Sequence, residues 1–156
     1  MTQMHQRRDW QQRWRSLAKA LLPSVLESFD RSDPNGGPMR FFFEVLPEFQ
    51  SALQSNDEPR LVAALEFARW SLAQPEKELW NAAGVAFWEL LFDDWKQSAR
   101  VAAWIPPDVI CLVDGLWRFR LGEKRAAETQ ALLKNIEPKK FDGLRHPTQL
   151  DASYLP

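Results

Sequence analysis

The chain is 156 residues long, 45% hydrophobic and 26% charged, with a formal net charge of −1 and a single cysteine. That is the size and balance of one globular domain, whose folding hides roughly 68–70% of the unfolded chain's surface without the help of disulfides. Near-neutral charge supplies no field to draw the chain to nucleic acid or to a membrane, and no stretch approaches about 18 uninterrupted apolar residues, which excludes an ordinary membrane span.

The start, MTQMHQRRDWQQRW, is basic but has no apolar run behind its charges. It does not read as a secretory signal, and a cytoplasmic, reducing setting is expected. Residues 3–22 place Trp10, Trp14, Leu17, Ala18, Leu21 and Leu22 at helical spacing, with Gln and Arg opposite. Pro23 kinks or restarts this helix, which continues through Val25, Leu26 and Phe29. The stretch DRSDPNGGP, residues 30–38, is a loop by composition. In MRFFFEVLPEFQSAL, residues 39–53, a strand could begin at Phe41, Phe42 and Phe43, but Phe42, Phe43, Leu46, Phe49 and Leu53 fit a helical stripe. Helix is the expectation, because no strand-like segment exists to pair with it.

Asn56 or Asp57 can cap the next helix, Pro59 suits its first turn, and Leu61, Ala64, Leu65, Ala68 and Leu72 line one face. Pro75 ends it and opens another, expected to run to about Phe92. Residues 96–104 predict a shorter helix closed by Pro106 and Pro107. Another follows from about Asp108 to Leu121, stopped by Gly122, and 123–135 predict an amphipathic one. Cys111, inside the apolar run 109–113, is expected to be an inert core thiol. After Pro138 the sequence is polar and proline-punctuated, and is expected to be extended or partly ordered. The reading is therefore all-α: a single domain of antiparallel helical hairpins over residues 1–135, then a polar C-terminal tail over 136–156. An echo between ARW at 68–70 and AAW at 102–104, each upstream of a proline, is compatible with HEAT-like or tetratricopeptide-like stacking, though without the repeat signatures.

The most apolar stretch is ELWNAAGVAFWELLFDDW, residues 78–95. On a helix its apolar arc takes in Leu79, Trp80, Ala83, Val85, Phe87, Trp88, Leu90, Leu91, Phe92 and Trp95, leaving a narrow polar sector at Glu89 and Asp93. Burying a tryptophan hides about 150–250 Å², worth roughly 4–6 kcal/mol as an upper bound, so this is expected to be the core helix. Asn81 falls inside the arc. It either bonds a neighbouring helix terminus or loop, or makes a specificity contact at a groove. Gly84 predicts a close helix crossing.

Signatures of chemistry are sparse. His5 and His146 lack local partner patterns, no metal-ligand spacing occurs, and SDPNGGP has neither the lysine nor the serine of a phosphate loop. Asp93 and Asp94, with Glu89 one turn earlier, read as a solvated boundary rather than an acid–base pair. No enzyme activity, metal or cofactor is expected. Charge is segregated: Arg7, Arg8, Arg13, Arg15 and Lys19 stand against Asp9 in the first twenty residues, while Glu76 to Asp94 holds five acids against Lys77. The two regions either face each other or leave the acidic edge open to a basic partner. WRFRLGEKR, residues 117–125, interleaves aromatics and cations as a nucleic-acid site would. The simpler account has its aromatics packing inward and its cations favouring a helix C-terminus, so nucleic acid is not expected.

The run LEFARWSLAQPEKELWNAAGVAFWELLFD, residues 65–93, resembles a segment of small, uncharacterised bacterial all-helical proteins. In these an aromatic-Ala-x-Trp helix precedes an Asn-Ala-x-x-Val-x-Phe helix. Some members stand beside polymorphic-toxin genes, so the resemblance implies an immunity role, and it carries no catalytic residue across. The expectation is a non-enzymatic binding protein that neutralises a toxin domain by occluding its active site. Glu89, Asp93, Asp94 and Trp95 are the candidate contacts, where the core segment emerges from cover. The alternative is a helical scaffold or adaptor that holds a peptide or partner helix in a groove. Either way the partner is a protein, with no membrane involved.

Overall fold

Prolines open five of the eight helices, at the first turn where a missing N–H leaves no bond unmade. The computed structural model describes the backbone of residues 2–156 and the side chains from Asp9 onward, so His5, Arg7 and Arg8 lie outside the described side chains. The helices are α1 (Thr2–Leu21), α2 (Pro23–Ser32), α3 (Pro38–Gln54), α4 (Glu58–Leu72), α5 (Lys77–Ala86), α6 (Ser98–Ala102), α7 (Pro107–Asn135) and α8 (Pro147–Tyr154). Short 3-10 turns lie at Trp88–Leu90, Trp95–Gln97 and Phe141–Gly143, and the described residues contain no strand. The fold is all-α. Pro23 restarts the first helix rather than kinking it, and α2 runs on to Ser32, so the expected loop shrinks to 33–37. Residues 39–53 are helical, with Pro47 on the exposed side of α3. Asp57 caps α4, its carboxylate accepting from the Arg60 N–H at 3.4 Å.

Helix α4 is the central element and packs against α1, α3, α5 and α8. Its Ala64, Leu65, Phe67, Ala68 and Trp70 are fully buried. Around it the aromatic rings interlock: Phe41 lies 5.4 Å from Trp14, 5.3 Å from Phe29 and 5.4 Å from Phe67, centroid to centroid. The last two pairs meet edge to face, the arrangement that ring quadrupoles favour.

The segment after Pro138 is not extended. Helix α8 docks on α1 and α4, with Leu144 and Leu150 buried in the core. The Trp70 indole donates to Asp151 at 2.8 Å, and Arg13 of α1 lies 3.6 Å from the same carboxylate. The Arg145 guanidinium reaches Glu66 at 3.0 Å, and its backbone N–H donates to Glu66 at 2.6 Å. Polar side chains that read as solvated in the sequence are instead the partners of α4. Because α8 returns to α1, elements from the two ends of the chain meet, a contact that a linear stack of hairpins does not make.

Candidate partner-binding face

Residues 78–95 do not form one helix. Helix α5 ends at Ala86, and Phe87 takes the non-helical angles φ −132, ψ −72. The break lets each large side chain find its own neighbour. Phe87 meets Phe49 edge-on at 5.5 Å, and Phe92 meets Trp117 edge-on at 5.1 Å. The Trp88 indole donates to the Ala68 carbonyl at 3.2 Å, while the Trp88 carbonyl accepts from the Trp117 indole at 2.8 Å. Both rings are fully buried, and both buried N–H groups are satisfied. After the break α5 has only to cover Leu79, Ala82, Ala83 and Ala86, so Trp80 and Val85, expected in the core, lie outside at 41% and 39% exposure. Asn81 is half-buried. The expected close crossing is present: a Cβ added at Gly84 would lie 3.2 Å from the Leu116 side chain of α7.

The four candidate contacts part company at the exit of this segment. Glu89 is 9% exposed, too covered to present a surface, and acts on Arg120 through its charge. Asp93 holds Arg120 by two parallel bonds of 2.7 and 2.6 Å. Those bonds raise the guanidinium pKa further, against a burial cost that lowers it, with the charges of Asp93 and Glu89 adding to the rise. Trp95 is half-buried, with the Arg125 guanidinium 4.2 Å from its ring centroid. Asp94 is exposed, has no cation beside it among the described residues, and borders a cavity of about 250 Å³.

Two stretches that read as separate sites are thus one. The acidic exit and WRFRLGEKR interlock, because Gly122 at φ 81, ψ 165 kinks α7 between Arg120 and Arg125. Two cations of the entry helix turn elsewhere: Arg15 pairs with Asp30 at 2.6 Å, and Arg13 goes to Asp151.

Sequence reasoning missed the apolar surface beside this junction. Phe119 is 87% exposed and Leu112 61%, with Cys111 exposed next to it, so the thiol is not a core group. Val109, Val113 and Trp117, spaced by four, take the buried stripe of α7. Leu112 and Phe119, seven residues apart, then share a flank roughly 110° around the helix from that stripe, beyond the reach of the core. That spacing was available in the sequence. A second cavity, about 340 Å³, lies beyond α6 and is bordered by Trp104, Arg100, Lys140, Glu58 and Glu137. Among the described residues no three His, Cys, Asp or Glu side chains are placed to share a metal ion, and no helix is long and apolar enough to cross a membrane.

A family model described as a domain of unknown function, DUF7674, matches residues 15–118, well over half of the chain. The chain belongs to the DUF7674 family. The DUF7674 region contains the resembling segment at 65–93 and ends in α7 before the Gly122 kink, so α8 and its contacts to α4 lie outside it. No curated protein and no solved structure matches the chain.

Proposed function

We propose that the chain is a binding protein that docks on one cognate protein partner, as an immunity protein does on its toxin. The observation that supports this reading most is the exposed apolar side chains of α5 and α7, Trp80 and Val85 on one and Leu112 and Phe119 on the other, with Phe119 adjoining the Arg120 that pairs with Asp93. Exposed apolar surface rimmed by polar groups is characteristic of docking sites, and aromatic side chains dominate their energetics. Asp93 and Asp94 form the charged rim with Trp95 beside them, while Glu89 contributes from beneath through its charge on Arg120. The setting in this reading is a bacterial cytoplasm, the partner a toxin domain whose active site is occluded, and no chemistry is required of the chain itself.

On this reading a toxin-like reading frame lies beside the gene, and co-expression with its product should yield a stable complex. Leu112→Ala with Phe119→Ala should weaken it by about 30-fold or more, the loss of a central anchor of about 2 kcal/mol. Unchanged affinity in the double variant would remove this face, and absence of any complex would remove the immunity reading. The 340 Å³ cavity favours the alternative, an adaptor taking a peptide in a groove, which would bind several related segments in place of one partner.

A further inference from the structure

The 250 Å³ cavity beside the acidic exit lies among the last turns of α3, the Trp88–Leu90 and Trp95–Gln97 turns and Val101 of α6. Its floor is apolar, formed by side chains such as Phe49, Leu90 and Val101, and its polar border is Gln50, Gln54, Asp94 and Gln97. Asp94 is the sole ionisable group on that border. Its neighbours are already engaged: Asp93 is held by Arg120, and the Gln97 side-chain oxygen accepts from Arg100 at 3.0 Å. Asp94 itself occupies the cap position of the Trp95–Gln97 turn but makes no side-chain cap bond there. Arg100 belongs to the other side of the wall. It borders the 340 Å³ cavity, where it bonds the Leu53 carbonyl and Asn56.

A lone carboxylate over an apolar floor, with carboxamides around it, selects a particular visitor. It must be cationic, because the one ionisable group lining the pocket is a carboxylate. It must also carry an apolar stem, because a compact hydrated ion would leave the floor uncovered. The cavity falls below the range of about 300–1,000 Å³ that encloses whole small ligands, so a single side chain is the matching scale. Arginine meets all three conditions. Its methylenes cover the floor, its planar fork fits a carboxylate with two bonds, and its remaining N–H groups suit the oxygens of Gln50 and Gln54. The neighbouring 340 Å³ cavity offers no such selection, since Arg100 and Lys140 there oppose Glu58 and Glu137.

We propose that this pocket is the anchor for one arginine side chain projecting from the protein partner. The inference rests on the docking reading above and names the chemistry that the partner must present.

The test uses the full chain and a probe in place of the partner. Acetyl-arginine methylamide is titrated into isotope-labelled protein, while the side-chain amide signals of Gln50, Gln54 and Gln97 are followed by NMR. Acetyl-citrulline methylamide, of the same shape but neutral, is the control, and Asp94→Asn is the variant. The Asn variant keeps the turn, because the carboxylate makes no cap bond to lose. The arginine probe should shift the three amides saturably, with binding about tenfold or more weaker for citrulline and for Asp94→Asn. Equal shifts with citrulline, shifts that persist in Asp94→Asn, or no shift at these amides would each overturn the proposal. If the probe fails while the cognate partner still co-purifies, the pocket assignment falls and the docking reading stands.

Discussion

Glu66 stands on α4 between Leu65 and Phe67 and is 2% exposed, with its charge met by Arg145, 79 residues further along the chain. The bonds to Glu66, and then the one to the Tyr154 hydroxyl, raise the Arg145 pKa well above the usual guanidinium range, although burial lowers it. Removing either partner has unequal consequences. Arg145→Met strands a buried carboxylate with only the residue 145 N–H beside it, and should cost about 3–5 kcal/mol in urea unfolding. Glu66→Gln should cost less, because the amide oxygen still accepts from that N–H and the Arg145 side chain, 40% exposed, can turn to water. A base raised in the folded state contributes stability fully below its unfolded value and loses it only as pH climbs through the folded one. The gap between wild type and Arg145→Met should therefore not narrow between about pH 7 and about pH 9. Nothing near Glu66 in the sequence announces this pairing. It lies off the stripe of Leu61, Ala64, Leu65, Ala68 and Leu72, where a carboxylate reads as solvated, and the reason for its burial was 79 residues away.

Within an element, two glycines of α7 should respond in opposite directions to the same change. Gly122 holds φ 81, ψ 165, a region that side chains disfavour, although nothing lies within 4 Å of an added Cβ. Gly122→Ala should therefore destabilise by about 1–3 kcal/mol through the backbone alone, and should loosen the Arg125 contact with Trp95. Gly115 is helical and open, so Gly115→Ala should stabilise by roughly 0.5–1 kcal/mol. Thermal midpoints of the two variants check both signs. Helices α1 to α4 were legible because periodicity, caps and prolines act within a turn or two. The kink at Gly122 was legible as a stop. That the next helix would fold back over Trp95 was not, since the sequence shows where a helix ends and not where its successor points. In the exit segment, Asp93, Asp94 and Trp95 were identifiable as a boundary, while the burial of Glu89 followed from a turn that no local pattern encodes.

At the scale of the molecule, the core closes only when α8 is in place. Leu150 is fully buried, and its helix covers α4 through Trp70, while Arg145 just ahead of it holds Glu66. Leu150→Ala should cost about 2–5 kcal/mol by calorimetry or urea, the range for a buried leucine whose cavity cannot collapse; a change within about 0.5 kcal/mol would mean that α8 does not share in the cooperative unit. All-α architecture could be read from periodicity alone, because helices declare themselves locally. The docked end could not, because Leu144, Leu150 and Leu155 are set among charges and a proline with no helical stripe, and such a stretch looks solvated until its partners are known.

The break at Phe87 follows the same logic in reverse. Trp88, the residue after it, is bonded 20 residues upstream to Ala68 and 29 residues downstream to Trp117. Cut free of those two holds, the strip from Glu76 to Trp95 has no local reason to bend, and the straight rod that its periodicity advertises is the form to which it would relax. The bend is in that sense borrowed from the rest of the chain, and it is returned whenever α4 or α7 lets go.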